Sequence, residues 1–298
     1  MILSPAKLNL SLNVHGLLDN GYHSISSYVF FLDLFDKINI KKSSLNNVLI
    51  DGIFKDDLIG NGGDTIISKS ISFCQNHCDT SDSFQIRLEK NIPVSGGLGG
   101  GSANSASIIR YFLSKQRSRK KKIADKVARL SESLGSDVPA CLYSKPAIIE
   151  GKGEKITFIE FNDQLDIGVV LINPRVQLST KKVFNNFVLK KPTRRRKPIL
   201  TIKTINDIKK ILKQGNDLEK PAIEIVPDIL NVLNVFKKNN KCLSFGMSGS
   251  GATCYGIFNS RKDANNFEKI VIRENSLKDY WIWSGGLLNK KRSLILPL

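Results

Sequence analysis

The residue pattern with the most chemical content is Gly96-Gly97-Leu98-Gly99-Gly100-Gly101-Ser102, five glycines within six positions and then a hydroxyl. Without Cβ atoms such a stretch reaches φ > 0 and lets its backbone approach a ligand closely. The spacing that follows predicts a helix from Ser102 to about Leu113. A helix start directly behind a glycine loop offers unpaired N–H groups and the positive end of the dipole, which together bind anions. The chemistry implied is a cradle for nucleotide phosphates. Three familiar phosphate loops do not fit. No Lys follows the glycines, Ser102 stands where G-x-G-x-x-G needs its third glycine, and the protein-kinase catalytic and magnesium motifs are missing from the sequence. A plain surface turn is the alternative, disfavoured by the position between a strand and an amphipathic helix.

Three further places carry chemistry. Gly246-Met247-Ser248-Gly249-Ser250-Gly251-Ala252 is a second glycine loop, which a tight hairpin would also explain; it contains no G-x-S-x-G elbow. In Leu134-Gly135-Ser136-Asp137-Val138-Pro139, Asp137 precedes a helix start signalled by Pro139. It is either an N-cap or a base that takes the proton of an attacking hydroxyl. Lys7 sits in an N-terminal strand and by itself reads as an exposed strand lysine.

The elements that must position these residues are mixed. Lys7 to Val14 alternates polar and apolar, the period of a half-buried strand, and Asp19-Asn20-Gly21 marks a turn. Tyr28 to Leu34, Lys37 to Ile40 and Ser83 to Leu88 also read as strands, with a helix over Thr65 to Gln75 between them. Helices are expected at Ile123 to Leu134, Ile205 to Lys213 and Pro227 to Lys237. Strands are expected around 147–149, 155–161, 167–172 and 253–258. No repeat and no regular βαβ alternation stand out, so the class is α+β.

At 298 residues the chain suggests two domains, with a boundary near residue 160. Its 45 Lys+Arg against 27 Asp+Glu give a net charge of +18. That excess fits a polyanionic partner or simply a Lys-, Asn- and Ile-rich composition. The basic stretches 115–122 and 190–197 lack interleaved aromatics, which argues against single-stranded nucleic acid. No uncharged apolar run approaches the roughly 18–20 residues of a membrane span. No signal peptide is expected, because Met1-Ile2-Leu3 has no charged segment and Pro5 interrupts the run. The five cysteines form no paired framework, and Cys74-x2-His77-Cys78 lacks the further ligands of a zinc site. Free thiols in a reducing cytoplasm are the expectation.

Taken in order, Pro5 to Leu10, Asp19 to His23, Pro93 to Ala103, Gly135 to Pro139 and Gly246 to Ala252 make the chain resemble the GHMP superfamily of small-molecule kinases. The resemblance runs from about residue 3 to 258. It implies a two-domain α+β kinase: residues 1–160 with a left-handed βαβ unit, residues 161–298 ferredoxin-like, and the active site in the cleft between them. Gly21-Tyr22-His23 together with Gly135 to Pro139 narrows the implied reaction to ATP-dependent phosphorylation of the 2-hydroxyl of a CDP-linked methylerythritol, in isoprenoid precursor synthesis. A homoserine or mevalonate kinase is the alternative enzyme. A nucleic-acid-binding protein would leave both glycine loops and Asp137 unused.

By the same resemblance Asp137 is the catalytic base and Lys7 its partner, since a nearby cation favours an ionised carboxylate. The implied ATP site comprises Pro93, Val94, Ser95, Gly96, Gly97, Leu98, Gly99, Gly100, Gly101, Ser102 and Ala103, with Lys90 near the adenosine. Asn9 approaches the substrate hydroxyls, Tyr22 and His23 hold the cytosine, and Phe184 covers its other face. Val94-Ser95 replaces a Met-Gly usual before the loop, and Thr65 stands where an Asn is frequent near the nucleotide base. Mg²⁺ is expected with ATP, without an identifiable protein ligand. The implied assembly is a monomer or homodimer in the cytoplasm, with no membrane or nucleic-acid partner.

Overall fold

The computed structural model describes residues 1–19, 21–59, 65–78, 80–115, 120–189 and 197–288, the side chains of 120–124 excepted. The chain begins with β1 (Ile2–Leu17), β2 (His23–Ser43), β3 (Asn47–Asp51), α1 (Lys55–Ile59), α2 (Thr65–His77) and β4 (Ser83–Glu89). Then come α3 (Gly100–Lys115), α4 (Lys120–Leu130), α5 (Val138–Tyr143), β5 (Ala147–Gly151), β6 (Lys155–Phe158) and β7 (Glu160–Phe161). β8 (Gly168–Asn173) is followed by α6 (Thr180–Asn186), β9 (Thr201–Ile202), α7 (Ile205–Leu212), α8 (Glu219–Ile225) and α9 (Asp228–Lys237). The described chain closes with β10 (Ser244–Met247), β11 (Cys254–Phe258), α10 (Arg261–Val271) and β12 (Trp281–Gly286).

These elements are an α+β arrangement of two main sheets. The first has the order β3-β4-β2-β5-β6, with β1 pairing on β2; β3 and β4 are parallel and bridged by α1 and α2. The second has the order β10-β11-β8-β12, all antiparallel. Its connectivity, β8–helices–β10–β11–α10–β12, is the β-α-β-β-α-β arrangement of ferredoxin-like folds. First-sheet strands end at Phe158 and second-sheet strands begin at Gly168, while β7 and β9 form a short parallel ladder of their own.

The apolar pattern explains the stacking. β8 is buried at every position, as a central strand covered on both faces must be. One apolar cluster joins the sheets: Leu8, Leu10, Phe30 and Leu32 of the first touch the same core as Val169, Leu171, Tyr255 and Ile257 of the second. The Tyr255 hydroxyl donates to the Leu10 carbonyl at 3.0 Å, and Arg261 of α10 pairs with Asp33 of β2. A second cluster packs α2 and α3 under the first sheet, through Ile67, Ile71, Ala106, Ile109 and Phe112.

Several expected elements take a different form. β1 is buried on both faces, because its polar side, Lys7, Asn9 and Ser11, turns inward, with Lys7 and Asn9 hydrogen-bonded there instead of meeting water. The two apolar runs of β2 join into one strand of 21 residues that serves β1, β4 and β5. The stretch 155–161 breaks into β6 and β7, which join different sheets. The expected helix 123–134 is α4 plus a 3₁₀ turn at Ser131–Leu134. α8, α10 and β12 were not legible: their short apolar spacing blends into the charged background. All five cysteines are free, and no group of three His, Cys, Asp or Glu suited to a metal occurs among the described residues. No described helix is long and apolar enough to cross a membrane. Most of the basic stretches 115–122 and 190–197 lies outside the described residues.

Candidate active site

The first glycine loop connects the strand layer to α3. Its path needs left-handed backbone at Ser95 (φ +51°), Gly97 (+76°) and Gly99 (+61°). The amides of Gly97 to Gly101 have no backbone acceptor among the described residues, as expected for the open start of a helix. They are available to phosphate oxygens. Ser95 holds a conformation that L residues enter at a cost of roughly 1–2 kcal/mol. Thr65 opens α2 beside this loop, since Ile66 would be 3.6 Å from a Cβ on Gly101.

The second glycine loop clamps the first. Ser248 Oγ donates to the Gly97 carbonyl at 2.9 Å, Thr253 N–H donates to the Gly96 carbonyl at 3.2 Å, and Asn9 N–H donates to Ser248 Oγ at 3.1 Å. Asn216, ahead of α8, donates from Nδ2 to the carbonyls of Met247 and Gly249, both at 2.8 Å. The hairpin alternative for residues 246–252 is therefore half right: β10 and β11 do form a hairpin, and its loop also docks on the first glycine loop.

A Cβ at Gly97 would lie 2.1 Å from the Ser248 carbonyl oxygen, on a backbone already at positive φ. Gly97→Ala is expected to cost at least ~2 kcal/mol in thermal unfolding, from strain and overlap combined, and to raise KM for ATP. Gly101→Ala is the control: its Cβ meets Ile66 at an ordinary 3.6 Å inside α3, so stability is expected to hold or rise.

Asp137 precedes α5 in the N-cap position but makes no side-chain capping bond. Its carboxylate points instead to Lys7, with Nζ to Oδ2 at 3.1 Å. The Lys7 side chain is 6% exposed and that of Asp137 36%, so the carboxylate faces the open side of the pair. Lys7 Nζ also donates to Asn9 Oδ1 at 2.7 Å, and Asn9 Nδ2 donates to Ser27 Oγ at 2.7 Å. Lys7 N–H donates to the Leu98 carbonyl at 2.8 Å, locking β1 to the glycine loop. A Cβ at Gly99 would be 3.0 Å from Lys7 Cε and 3.8 Å from Asp137 Oδ2. The missing side chain is what lets phosphate loop, lysine and carboxylate converge. Burial, then the Asp137 charge, push the neighbouring Cys141 thiol up to about 12, so it stays protonated.

Tyr22 and His23 stand at the tip of the β1–β2 hairpin, with Tyr22 60% exposed. Phe184 of α6 stacks on the His23 ring, centroids 4.9 Å apart at 27°, and Phe187 meets it edge-on at 6.2 Å. Aromatic surface from both halves thus meets at one spot. Lys152 reaches over Tyr22 at 6.0 Å and pairs with Glu132 at 2.6 Å.

Lys90 lies differently from a side chain reaching for a nucleoside. Its ammonium is buried, bound to Asp36 Oδ2 at 2.7 Å and to the Ile92 carbonyl at 2.5 Å. Asp36, fully buried in β2, also accepts from the amides of Asn91 and Ile92 (2.7 and 2.8 Å) and from Asn104 Nδ2 of α3 (3.0 Å). It ties the chain entering the loop to the helix leaving it. Sequence reading missed Asp36 and Asn216; the only signal was an acidic residue inside an apolar strand run.

The sequence matches the GHMP kinases N terminal domain over residues 65–145 and the GHMP kinases C terminal family over residues 197–276. With the fold and the paired glycine loops, this defines a GHMP-type small-molecule kinase. The 4-diphosphocytidyl-2-C-methyl-D-erythritol kinase of Chelativorans sp. (strain BNC1) is 32% identical over 281 residues, 92% of both chains. That of Ehrlichia ruminantium (strain Gardel) is 34% identical over 278 residues, 92% of this chain and 93% of the relative. The chain belongs to the 4-diphosphocytidyl-2-C-methyl-D-erythritol kinase family. A crystal structure of a 4-(cytidine 5'-diphospho)-2C-methyl-D-erythritol kinase superposes with a TM-score of 0.73 at 22% identity, over 96% of this chain and 98% of that one. A mevalonate kinase structure follows the same fold at a TM-score of 0.66 and 14% identity.

Proposed function

We propose that this kinase transfers the γ-phosphoryl group of ATP to the 2-hydroxyl of 4-(cytidine 5'-diphospho)-2-C-methyl-D-erythritol, giving the 2-phosphate and ADP in isoprenoid precursor synthesis. Family membership supports the reaction. The observation that carries the site is the Lys7–Asp137 pair beside Gly99. Asp137 takes the hydroxyl proton, the freed oxygen bonds to the γ-phosphorus, and the bond to the β,γ-bridging oxygen breaks, releasing ADP. The transition state is loose and anionic, so catalysis rests on positioning and charge stabilisation. The loop amides of Gly97 to Gly101 and the start of α3 hold phosphate oxygens, and Lys7 contributes positive charge beside the reacting hydroxyl. Mg²⁺ bound with ATP would neutralise phosphate charge. Phosphate oxygens and water would supply most of its shell, as is usual for this ion with nucleotides.

Tyr22, His23 and Phe184 are assigned to the cytosine, and Asn9 to the hydroxyl end of the substrate. Phe184→Ala is expected to raise KM for the cytidine substrate about tenfold or more, the ~1–3 kcal/mol scale of one stacked base, with KM for ATP unchanged. Steady-state kinetics against each substrate checks it. Lys90 is assigned to holding the loop, not to contacting adenosine. Residue 160 is retained as the division between the two domains, and the reaction is placed in the cytoplasm, where ATP is supplied.

The reading is tested by ADP release with and without CDP-methylerythritol, alongside mevalonate and homoserine. ADP formation dependent on the cytidine substrate is expected. Folded protein that turns over mevalonate or homoserine instead, or no substrate at all, overturns it.

A further inference from the structure

We infer that Arg110 is a positioning residue for Asp137, coupling the phosphate-loop helix to the helix that carries the base; the inference rests on the phosphoryl-transfer reading above. Arg110 lies on α3, ten residues beyond the glycine where that helix starts. Its side chain is almost fully buried, yet no carboxylate pairs with it among the described residues. The guanidinium goes to the far end of α5. Its Nη1 donates to the carbonyls of Cys141 (2.6 Å) and Leu142 (3.0 Å) and to Ser144 Oγ (2.9 Å), and its Nη2 donates to Ser107 Oγ (2.7 Å).

Those carbonyls belong to the open C-terminal end of α5, where a cation is favoured by the dipole and by unsatisfied acceptors. Cys141 N–H in turn donates to the Asp137 carbonyl at 3.0 Å. One hydrogen bond therefore separates the residue held by Arg110 from the residue that carries the base. α5 is only six residues long and its first residue follows Asp137 directly, so a shift of its far end moves Asp137 with it. Burial lowers the guanidinium to about 10, which leaves it a cation at neutral pH.

A buried arginine that merely filled space would affect stability alone. One that sets the distance between α3, which carries the phosphates, and α5, which carries the base, affects kcat through Asp137. Lysine keeps the charge but has a single nitrogen and no planar fork, so it cannot hold the α5 carbonyls and Ser107 from two nitrogens at once.

The test compares wild type, Arg110→Lys, Asp137→Asn and the double variant, each checked for folding by thermal unfolding. Arg110→Lys is expected to lower kcat roughly 10- to 100-fold, the scale of an ångström-level misplacement, with both KM values within about twofold. In the Asp137→Asn background the same change is expected to lower kcat by less than about twofold, because the group it positions is already gone. Unchanged kcat in Arg110→Lys, or an equal loss in both backgrounds, overturns the inference. If Arg110→Lys does not fold, Ser107→Ala removes one acceptor from the same guanidinium and is read the same way. An inactive wild type would refute the assigned reaction; an active wild type with an unaffected variant refutes only the role of Arg110.

Discussion

Asp137→Asn is expected to lower kcat by ~10²–10⁴-fold, or about 3–5 kcal/mol of transition-state stabilisation, while leaving the fold intact. The carboxylate makes no capping bond for α5, so its loss removes no helix contact. Its one ion pair among the described residues is with Lys7, whose ammonium keeps Asn9 Oδ1 as a partner at 2.7 Å. The Asp137 side chain is 36% exposed, but that of Lys7 is 6% exposed and loses its counter-charge, so a lowered thermal midpoint is expected beside the kinetic loss, with the asparagine oxygen still able to accept from the ammonium. Asparagine has the same shape but cannot accept the proton of the attacking hydroxyl. KM for ATP is expected to stay within about twofold, because the proposed phosphate site is the loop amides and not this side chain. The measurement is steady-state ADP release with the thermal midpoint as a folding control. Wild-type turnover in Asp137→Asn would remove Asp137 from the mechanism.

The second large effect is on stability. Asp36→Ala is expected to cost ~3–5 kcal/mol, because it leaves the buried Lys90 ammonium without a counter-charge. That is a large part of the ~5–15 kcal/mol typical of a folded domain. The physical situation here is stricter than an ordinary buried pair. Asp36 also receives the amides of Asn91 and Ile92 and the Asn104 side chain. Replacing both members of a buried pair with apolar residues is often close to neutral. Asp36→Leu with Lys90→Met is expected to recover only part of the loss, since two amides and an amide side chain stay unsatisfied. Urea unfolding of the three proteins checks this. Full recovery in the double variant would show that the backbone contacts of Asp36 carry no weight.

Much of the site was legible before any coordinates. The first glycine loop announces chemistry by residue type, because phosphate binding needs backbone without Cβ, whereas Asp137, Lys7 and the second glycine loop each have an ordinary explanation when taken alone. Their order along the chain was informative even where each alone had an ordinary explanation. The limits were also local. Asp137 read equally as an N-cap, since both roles place an acidic residue before a helix. Only Lys7, 130 residues earlier in sequence and 3.1 Å away in space, separates the two. The strands behaved similarly. The alternation in β1 predicts one wet face, and the structure instead turns Lys7, Asn9 and Ser11 into a buried polar row. Alternation records which residues share a face, not what covers that face.

The net charge of +18 is the one feature that the tertiary structure has not tied to the chemistry. Within the site, the cations with assigned partners are Lys7 and, one step back, Lys90 and Arg110. All three are nearly buried.

By itself the sequence determined the α+β class and located the glycine loop, because these depend on residue types at short spacings, while the resemblance carried by its ordered motifs implied the reaction type and Asp137 as the base. Tertiary structure alone decided that Lys90 turns inward to Asp36, that the second glycine loop holds the first, that His23 and Phe184 meet, and that Arg110 reaches the end of α5. Each of these is a contact between segments distant in sequence. Which of them forms is set by the packing of β1, β2 and α3 between the two sheets, and local pattern carries no record of that packing.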